Sequence, residues 1–182
     1  MAPCGIAIGA LVPSGRRLAR AMAAEVAGLP PGPLVELGGG TGSITAALLK
    51  SAVAPGDLYV VEREPEFAAV LDARFPDVRV IEGDARQLRA LLRPGGVTAA
   101  RAVVSSLPLL SFPDQLCREI VAEAFALLAP EGRFVQFTYG FLAPLSPALA
   151  DELGLRASRG TWVLENVPPA FVWTYRRRAD AA

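Results

Sequence analysis

The sequence predicts an α/β fold built on a seven-stranded, mostly parallel sheet, with one antiparallel strand and helices on both faces. Three observations lead to this prediction. Short apolar runs alternate with segments of helical periodicity over most of the chain, and a glycine-rich turn joins the first run to a helix. The last part of the chain holds two strand-like runs with no helix between them. Strands that alternate with helices form a parallel sheet because each crossover helix covers one of its faces.

Five apolar runs predict the parallel strands, and they lie at Pro33 to Leu37, Asp57 to Glu62, Val78 to Glu82, Arg101 to Ser105 and Gly132 to Thr138. Three helices are predicted between them, at Gly42 to Ala52, Pro65 to Phe75 and Pro113 to Leu128. Pro65 and Pro113 suit the first turn of a helix, where a missing N–H needs no replacement.

The remaining elements lie near the two ends of the chain. Leu155 to Leu164 and Phe171 to Arg177 predict two strands around an Asn-Val-Pro-Pro turn. The connection is too short for a crossover helix, so we expect this pair to be antiparallel. Ser14 predicts the N-cap of a helix that runs to about Ala27.

This first helix has a basic side and an apolar side. Arg16, Arg17 and Arg20 supply the charge, whereas Leu18 and Met22 recur at helical spacing. One interpretation is a helix that packs over the sheet with its arginines in water. The other is a basic amphipathic lid, within residues 1–30, that contacts anionic lipid headgroups.

Composition limits the classes of function. The chain has 182 residues with 18 Lys and Arg against 18 Asp and Glu, a balance that argues against a basic nucleic-acid-binding protein. Histidine is absent, so the commonest general base and the commonest metal ligand are unavailable, and we expect no metal. Cys4 and Cys117 stand far apart, which predicts a reducing compartment rather than a disulfide framework or a zinc site.

Length and hydropathy predict one cytoplasmic domain that covers residues 1–182. No run approaches the roughly 18 apolar residues of a membrane-spanning helix. The apolar start of the chain also lacks the basic segment that opens a signal peptide.

The most specific motif is Glu36-Leu37-Gly38-Gly39-Gly40-Thr41-Gly42, which ends the first predicted strand and opens a helix. Gly38, Gly40 and Gly42 allow a tight turn and close approach of a ligand to the amides of a helix N-terminus. A dinucleotide-binding turn would need its third glycine where Ser43 stands. A purely structural turn is the alternative. The segment resembles the first motif of class I S-adenosylmethionine methyltransferases, an acidic residue followed by Gly-x-Gly-x-Gly.

Two further acidic positions fit this resemblance. Glu62 ends the second strand about 20 residues after the last glycine, the distance at which a carboxylate binds ribose hydroxyls in related folds. In the family, the residues at Arg63 and at Gly83-Asp84-Ala85 also border the cofactor, and Asp84 and its neighbours hold the adenine edge. The alternative is that Asp84 simply caps the short helical turn after it.

The fourth strand ends in Ser105-Ser106-Leu107-Pro108. Amine-directed relatives carry an acidic or amide residue here, followed by Pro-Pro-Tyr or Leu-Pro-Tyr. The amide that receives a nucleobase amine is therefore missing, and Leu109 replaces the stacking aromatic. An acceptor with a flat ring becomes less favoured. An ordinary strand-to-helix loop is the alternative interpretation.

Several later segments narrow the resemblance. Ser-Ser-Leu-Pro, then Gln136-Phe137-Thr138-Tyr139, then Asn166-Val167-Pro168-Pro169-Ala170 are similar to the bacterial phospholipid N-methyltransferases, and the likeness covers roughly Gly9 to Arg178. It implies S-adenosylmethionine as cofactor and phosphatidylethanolamine as acceptor, methylated stepwise to phosphatidylcholine. It also implies peripheral association with the inner face of the cytoplasmic membrane.

This family assignment gives the candidate site residues their expected roles. Tyr139, Ser105 and Ser106 are expected to orient the amine. Lipid contacts are expected from Leu107, Pro108, Tyr139 and Phe141, and from at least one of the arginine clusters 16–20 and 176–178. Leu107 and Ser105 are also expected beside the cofactor. The alternatives are an rRNA adenine dimethylase, a small-molecule N- or O-methyltransferase, or a lipid- or cofactor-binding module without activity.

Overall fold

The computed structural model describes residues 15–163 and 169–178. Its strands are β1 Leu34–Leu37, β2 Leu58–Glu62, β3 Arg79–Glu82, β4 Ala100–Ser105, β5 Leu128–Tyr139, β6 Leu155–Val163 and β7 Ala170–Arg177. Its α-helices are α1 Arg16–Ala24, α2 Ser43–Lys50, α3 Pro65–Arg74, α4 Leu88–Leu92, α5 Asp114–Leu127 and α6 Pro147–Glu152.

The strands form one seven-stranded sheet in the order β3-β2-β1-β4-β5-β7-β6. The pairs among β1 to β5 are parallel, whereas β7 is antiparallel to both β5 and β6. The prediction of a mostly parallel sheet with a single antiparallel strand is therefore confirmed. The ladder between β6 and β7 shifts register between Arg159 and Trp162, close to the end of β6.

Two apolar cores cover the two faces of the sheet. On one face α1, α2 and α3 bury residues such as Leu18, Leu48 and Leu71. On the other face α4, α5 and α6 bury residues such as Leu92, Val121 and Phe134. Both faces are covered because parallel strands joined by crossover helices have no face in water.

Several boundaries differ from the predicted ones. The α4 and α6 helices were not predicted, because helices of five and six residues carry too little periodicity to recognise. The α1 helix follows Gly15, no side chain caps it, and its α-helical turns end at Ala24, after which 3₁₀-type bonds continue to Ala27. The predicted cap Ser14 and the turn at 164–168 lie outside the described residues. In that described part of the chain, no helix is long and apolar enough to cross a membrane.

Candidate active site

The main cleft lies where the chain reverses its direction across the sheet. In the sheet, β1 has β2 on one side and β4 on the other, so the strand order reverses at β1. Sheets of this kind bind ligands where the strand order reverses, at the carboxyl ends of the strands. The cleft has a volume of about 620 Å³. Its walls come from the ends of β1, β2, β3, β4 and β5 and from the first half of α5. We call the edge of the sheet that carries this cleft the carboxyl edge.

The glycine turn after β1 forms the floor of the cleft. Gly38, Gly40 and Gly42 have φ angles of 75°, 50° and 78°, a region that favours glycine. A Cβ on Gly40 would have no atom within 4 Å, so its backbone borders open space. A Cβ on Gly38 would lie 3.0 Å from Cδ2 of Leu107. Gly38, Gly40 and Thr41 line the cleft, whereas Gly42 is buried behind it at the start of α2.

Sequence reasoning gave no role to Gly39, and the structure supplies one. A Cβ there would stand 2.5 Å from Cγ1 of Val60 and 2.7 Å from Cδ1 of Leu71. The turn therefore packs directly against β2 and α3, and only glycine allows this approach. The run of three glycines could have indicated this contact. A requirement for positive φ explains Gly38 and Gly40 but not Gly39 between them.

Glu62 holds the glycine turn from the end of β2. Its Oε2 accepts a hydrogen bond from the Gly40 N–H at 2.9 Å, and its Oε1 accepts one from the Glu64 N–H at 3.0 Å. The side chain is 7 % exposed and lines the cleft. Each carboxylate oxygen has a further lone pair, so these bonds leave capacity for ligand hydroxyls.

Glu36 is the acidic residue of the glycine motif, and it is fully buried in β1. Its Oε2 accepts a hydrogen bond from Thr45 Oγ1 at 2.8 Å, whereas Oε1 has no partner among the described residues. Burial raises the pKa of Glu36 to about 8, partly opposed by the bonds from Thr45. Glu36 does not form part of the cleft wall; it lies beneath it.

The loop after β3 supplies another wall. Gly83, Asp84 and Ala85 all line the cleft. Asp84 also caps the 3₁₀ turn that follows, since its Oδ1 accepts from the Arg86 N–H at 2.9 Å. Arg86 further donates to Oδ2 at 2.8 Å, and this contact lowers the pKa of Asp84. The capping role weighed as an alternative is thus present together with the predicted position at the cleft.

Arg63 and Ser106 also reach the cleft, and Ser105 does not. Arg63 is largely exposed and pairs with Glu64 at 3.1 Å. Ser106 donates to the carbonyls of Leu37 and Gly38, so it ties the end of β4 to the glycine turn. Ser105 is fully buried, and its hydroxyl accepts a hydrogen bond from the Leu107 N–H at 3.3 Å. The structure therefore places Ser105 behind the wall, where it positions Leu107.

The acceptor side of the cleft is mostly apolar. Leu107, Pro108, Phe137 and Tyr139 line it. The rings of Phe137 and Tyr139 meet edge to face with centroids 5.4 Å apart. Burial raises the pKa of Tyr139 above its ordinary value, so its hydroxyl stays protonated at neutral pH. Gln136 lies beneath and donates to the Leu107 carbonyl at 2.9 Å, which fixes that loop.

A second apolar wall of the cleft was not predicted. Phe112 just before α5, and Leu116 and Ile120 within it, recur every four residues and line the cleft, as does Phe67 of α3. The four-residue spacing just after β4 was visible in the sequence. It did not distinguish a cleft wall from the core, because only the docking of α5 against the loop after β3 decides between them.

The two arginine clusters have different surroundings. Arg16, Arg17 and Arg20 lie exposed on α1, and the Arg20 Nε donates to the Arg16 carbonyl at 3.2 Å. At the end of β7, on the opposite edge from the cleft, Arg177 donates to backbone carbonyls of Phe125, Leu128 and Ala129. Arg178 pairs with Asp151. The second cluster therefore closes the fold at the amino ends of the strands. Phe141, two residues past Tyr139, is exposed and outside the cleft wall.

The shape and polarity of the cleft fit S-adenosylmethionine. The open backbone at Gly40 and the Glu62 carboxylate beside it provide a cradle and hydroxyl acceptors. The Phe112 and Leu116 wall offers an apolar surface for adenine. Over the residues that the structure describes, no group of three or more His, Cys, Asp or Glu side chains could hold a metal ion.

The sequence of the chain is similar to those of known methyltransferases. A family model described as a methyltransferase domain matches residues 34–132. The ornithine lipid N-methyltransferase of Singulisphaera acidiphila is 38% identical over 137 residues, which cover 74% of this chain and 71% of that protein.

Solved structures share the fold at low identity. The glycopeptide N-methyltransferase MtfA with S-adenosylmethionine superposes with a TM-score of 0.71 at 15% identity, over 92% of this chain and 96% of that one. The CcbJ methyltransferase of Streptomyces caelestis gives 0.70 at 17% identity, over 94% and 92% of the two chains. The chain belongs to the class I family of S-adenosylmethionine-dependent methyltransferases.

Proposed function

We propose that this methyltransferase acts on the primary amine of a membrane-lipid headgroup, and that phosphatidylethanolamine is its acceptor. The observation that carries the proposal is the acceptor side of the cleft. It is lined by Leu107, Pro108, Phe137 and Tyr139, and the motif after β4 lacks the amide and the stacking aromatic that a nucleobase acceptor would require there. The relative named for ornithine lipid supports an amine on a lipid as the target class.

The chemistry requires a neutral amine. When bound, the cofactor supplies a methyl carbon on a positively charged sulfur. The amine nitrogen forms the new N–C bond as the C–S bond breaks, the C–S electron pair stays on sulfur, and the proton of the methylated amine leaves to water. Since the sulfur becomes neutral, no acid is needed on that side. Holding the amine in line supplies most of the rate, and well-oriented reactants gain about 7–11 kcal/mol.

Removing the amine's proton is the remaining obstacle. A primary ammonium resembles lysine, so deprotonation at pH 7 requires roughly 3 pKa units, about 4 kcal/mol. The apolar side chains around Tyr139 lower the pKa of a buried ammonium. The Tyr139 hydroxyl stays protonated, and its oxygen can accept a hydrogen bond from the amine without taking the amine's proton.

Ornithine lipid is the second candidate acceptor, and the specific reason is the 38% identical relative that bears this name. Both candidates present a primary alkylamine, so the same apolar site serves either. They differ in what surrounds the amine, because phosphatidylethanolamine carries a phosphate and an ornithine headgroup does not. Peripheral membrane association on the cytoplasmic side, with the arginines of α1 at the lipid surface, is part of this proposal.

Mass spectrometry of methylated products tests the proposal. The protein is incubated with S-adenosylmethionine and, separately, with vesicles of phosphatidylethanolamine, vesicles of ornithine lipid, rRNA, tRNA and free ethanolamine. We expect mono-, di- and trimethylated lipid from the first vesicles. Methylation of ornithine lipid alone would show that ornithine lipid, rather than phosphatidylethanolamine, is the acceptor, and the target would still be a lipid amine. Methylation of RNA or of free ethanolamine without any lipid product would contradict the proposal.

A further inference from the structure

Three large apolar side chains are exposed at the carboxyl edge of the sheet. Phe141 and Leu142 follow β5 and are each 71% exposed, and Trp162, near the end of β6, is 47% exposed. We call these three residues the apolar rim. Exposed apolar side chains gathered at one place mark a binding surface more often than scattered single ones do.

Ring contacts hold the aromatic side chains of the rim in place. Trp162 stacks on Phe171 of β7, with ring centroids 5.5 Å apart and planes at 7°. Phe141 lies 6.3 Å from Trp162 and 5.5 Å from Phe171, centroid to centroid. The guanidinium of Arg159 lies 5.2 Å from the centroid of the Phe171 ring. Aromatic rings thus stand together beside a cation.

Hydrogen bonds hold the backbone under the rim. Thr138 Oγ1 donates to the Leu142 carbonyl at 2.8 Å, and Trp173 Nε1 donates to Thr138 Oγ1 at 3.1 Å. The Gly140 N–H donates to the Pro169 carbonyl at 2.9 Å. The loop is therefore fixed in a conformation that leaves Phe141 and Leu142 in contact with water.

The rim lies beside the acceptor side of the cleft. Tyr139 lines the cleft and precedes Phe141 by two residues. Tyr139 pairs with Ala170 in the sheet, and Phe171 is the next residue of β7. Phe171 points to the opposite face of the sheet from Tyr139, so the rim and the acceptor side of the cleft lie on the two faces of the same sheet corner.

We infer that the apolar rim inserts into the interfacial layer of a lipid bilayer, so that a headgroup reaches the cleft without leaving the membrane. The inference rests on the proposed lipid acceptor. Trp and Phe rings beside an arginine suit the boundary between hydrocarbon and headgroups, where Arg159 meets lipid phosphate. A second protein is a poorer occupant, since a stable interface buries about 800 Å² per partner over 20–30 residues.

Vesicle binding of the full chain tests the inference, measured by flotation with phosphatidylcholine vesicles and with phosphatidylcholine–phosphatidylglycerol vesicles. We expect the double variant Phe141→Ser, Leu142→Ser to bind at least about tenfold more weakly than wild type, and the loss to persist in high salt. Val70→Ser is the matched control, because Val70 of α3 is an exposed apolar residue (51%) outside the rim. It should bind like wild type.

A gain-of-function variant guards against misfolding. Leu142→Trp should bind phosphatidylcholine vesicles more tightly than wild type, and brominated lipid should quench its added fluorescence. Equal vesicle binding by wild type, the double serine variant and Leu142→Trp would overturn the inference. Absence of vesicle binding by wild type would overturn it as well. A dimer that the double serine variant dissociates would assign the rim to a second copy of the chain instead.

Activity on two forms of one lipid separates this inference from the proposed function. With short-chain phosphatidylethanolamine below its micelle concentration, the double serine variant should turn over like wild type. With long-chain vesicles its turnover should fall by at least about tenfold. If neither protein methylates either form, the proposed acceptor fails, and the binding measurements still decide the role of the rim.

Discussion

The two sides of the cleft are built from different materials. On the cofactor side, the ends of β1, β2 and β3 present backbone amides and carboxylates in fixed hydrogen bonds, with Glu62 and Asp84 as their centres. On the acceptor side, the ends of β4 and β5 present apolar side chains and a protonated tyrosine, Tyr139. Polar atoms define the first side, whereas shape and low polarity define the second.

From this difference we expect the first side to bind the cofactor and the second side to select the acceptor. A cofactor with charged groups and hydroxyls is recognised by directed hydrogen bonds, which tolerate little change. An amine that must lose its proton benefits from an apolar setting, which many side chains can supply. The following predictions should therefore give larger effects on the cofactor side than on the acceptor side.

The largest expected effect concerns pH and Glu36. Burial raises the pKa of this carboxyl to about 8, so the folded protein keeps it protonated at a pH where the unfolded chain ionises it. Stability should therefore fall as pH rises from about 4.5 to about 8, on the order of a few kcal/mol. Glu36→Gln should remove this slope. Denaturant titrations between pH 5 and pH 9 measure it, with Glu82→Gln, an exposed glutamate of β3, as control.

If wild type and Glu36→Gln lose stability equally over that range, the buried carboxyl is not the cause. Asp84, which pairs with Arg86, and Glu123, which pairs with Arg89, do not contribute to the loss of stability in this pH range. Their arginine partners lower their pKa values, so their contributions are lost only as the pH falls below the usual carboxyl range.

The next effect concerns cofactor affinity. Glu62→Ala should weaken S-adenosylmethionine binding by about 1.5–3 kcal/mol, the range for hydrogen bonds to a charged group. The change also frees the N–H groups of Gly40 and Glu64, so Glu62→Gln should lose less. Calorimetry on folded variants measures both, with Glu66→Gln as control because this exposed glutamate of α3 does not line the cleft. Unchanged affinity of Glu62→Ala would contradict the ribose assignment.

A smaller effect is expected on the acceptor side at Tyr139. Tyr139→Phe should lower turnover on phosphatidylethanolamine by roughly 3–10-fold, the equivalent of one neutral hydrogen bond, and leave cofactor affinity intact. Tyr59→Phe is the matched control, since its hydroxyl lies in β2, bonds to Arg79 at 2.6 Å and does not line the cleft. Equal turnover of Tyr139→Phe and wild type would show that the hydroxyl does not orient the headgroup.

The smallest effect per residue concerns α1. Replacing Arg16 and Arg20 by glutamine should weaken binding to phosphatidylglycerol vesicles by about 1 kcal/mol each at low salt, and by little at high salt. The same replacements at Arg156 and Arg176 serve as control. These exposed residues lie opposite each other in β6 and β7, near the amino ends of the parallel strands and away from the cleft. Equal losses from both pairs would mean that general charge, and no particular surface of α1, attracts the lipid.

The sequence analysis was most successful where local backbone physics fixes the answer. The positions of Gly38, Gly40 and Glu62 follow from a tight turn and from a fixed spacing between strand ends, and the structure brings them together. Features that depend on the packing of distant elements were missed. Gly39 is required by contact with Val60 and Leu71, and Phe112 becomes a cleft wall only when α5 docks.

Neighbouring residues with the same chemistry were also beyond reach from the sequence. Ser105 and Ser106 had equivalent expectations, yet only Ser106 lies at the cleft, because Ser105 is the last buried residue of β4. Likewise, Arg177 had the same expected role as the arginines of α1, but its guanidinium donates to backbone carbonyls in the last turn of α5 and at the start of β5.

The irregular pairing between β6 and β7 has a consequence for how this sheet ends. β6 is one of the two edge strands, and an edge strand offers free N–H and C=O groups to any extended chain that meets it. Here β6 carries an exposed arginine on each face, Arg156 on one and Arg159 on the other, and the register breaks just before Trp162. Charge and a broken ladder both oppose the addition of a further strand. The protein can therefore expose aromatic residues at one corner of an open sheet without making that sheet a template for aggregation.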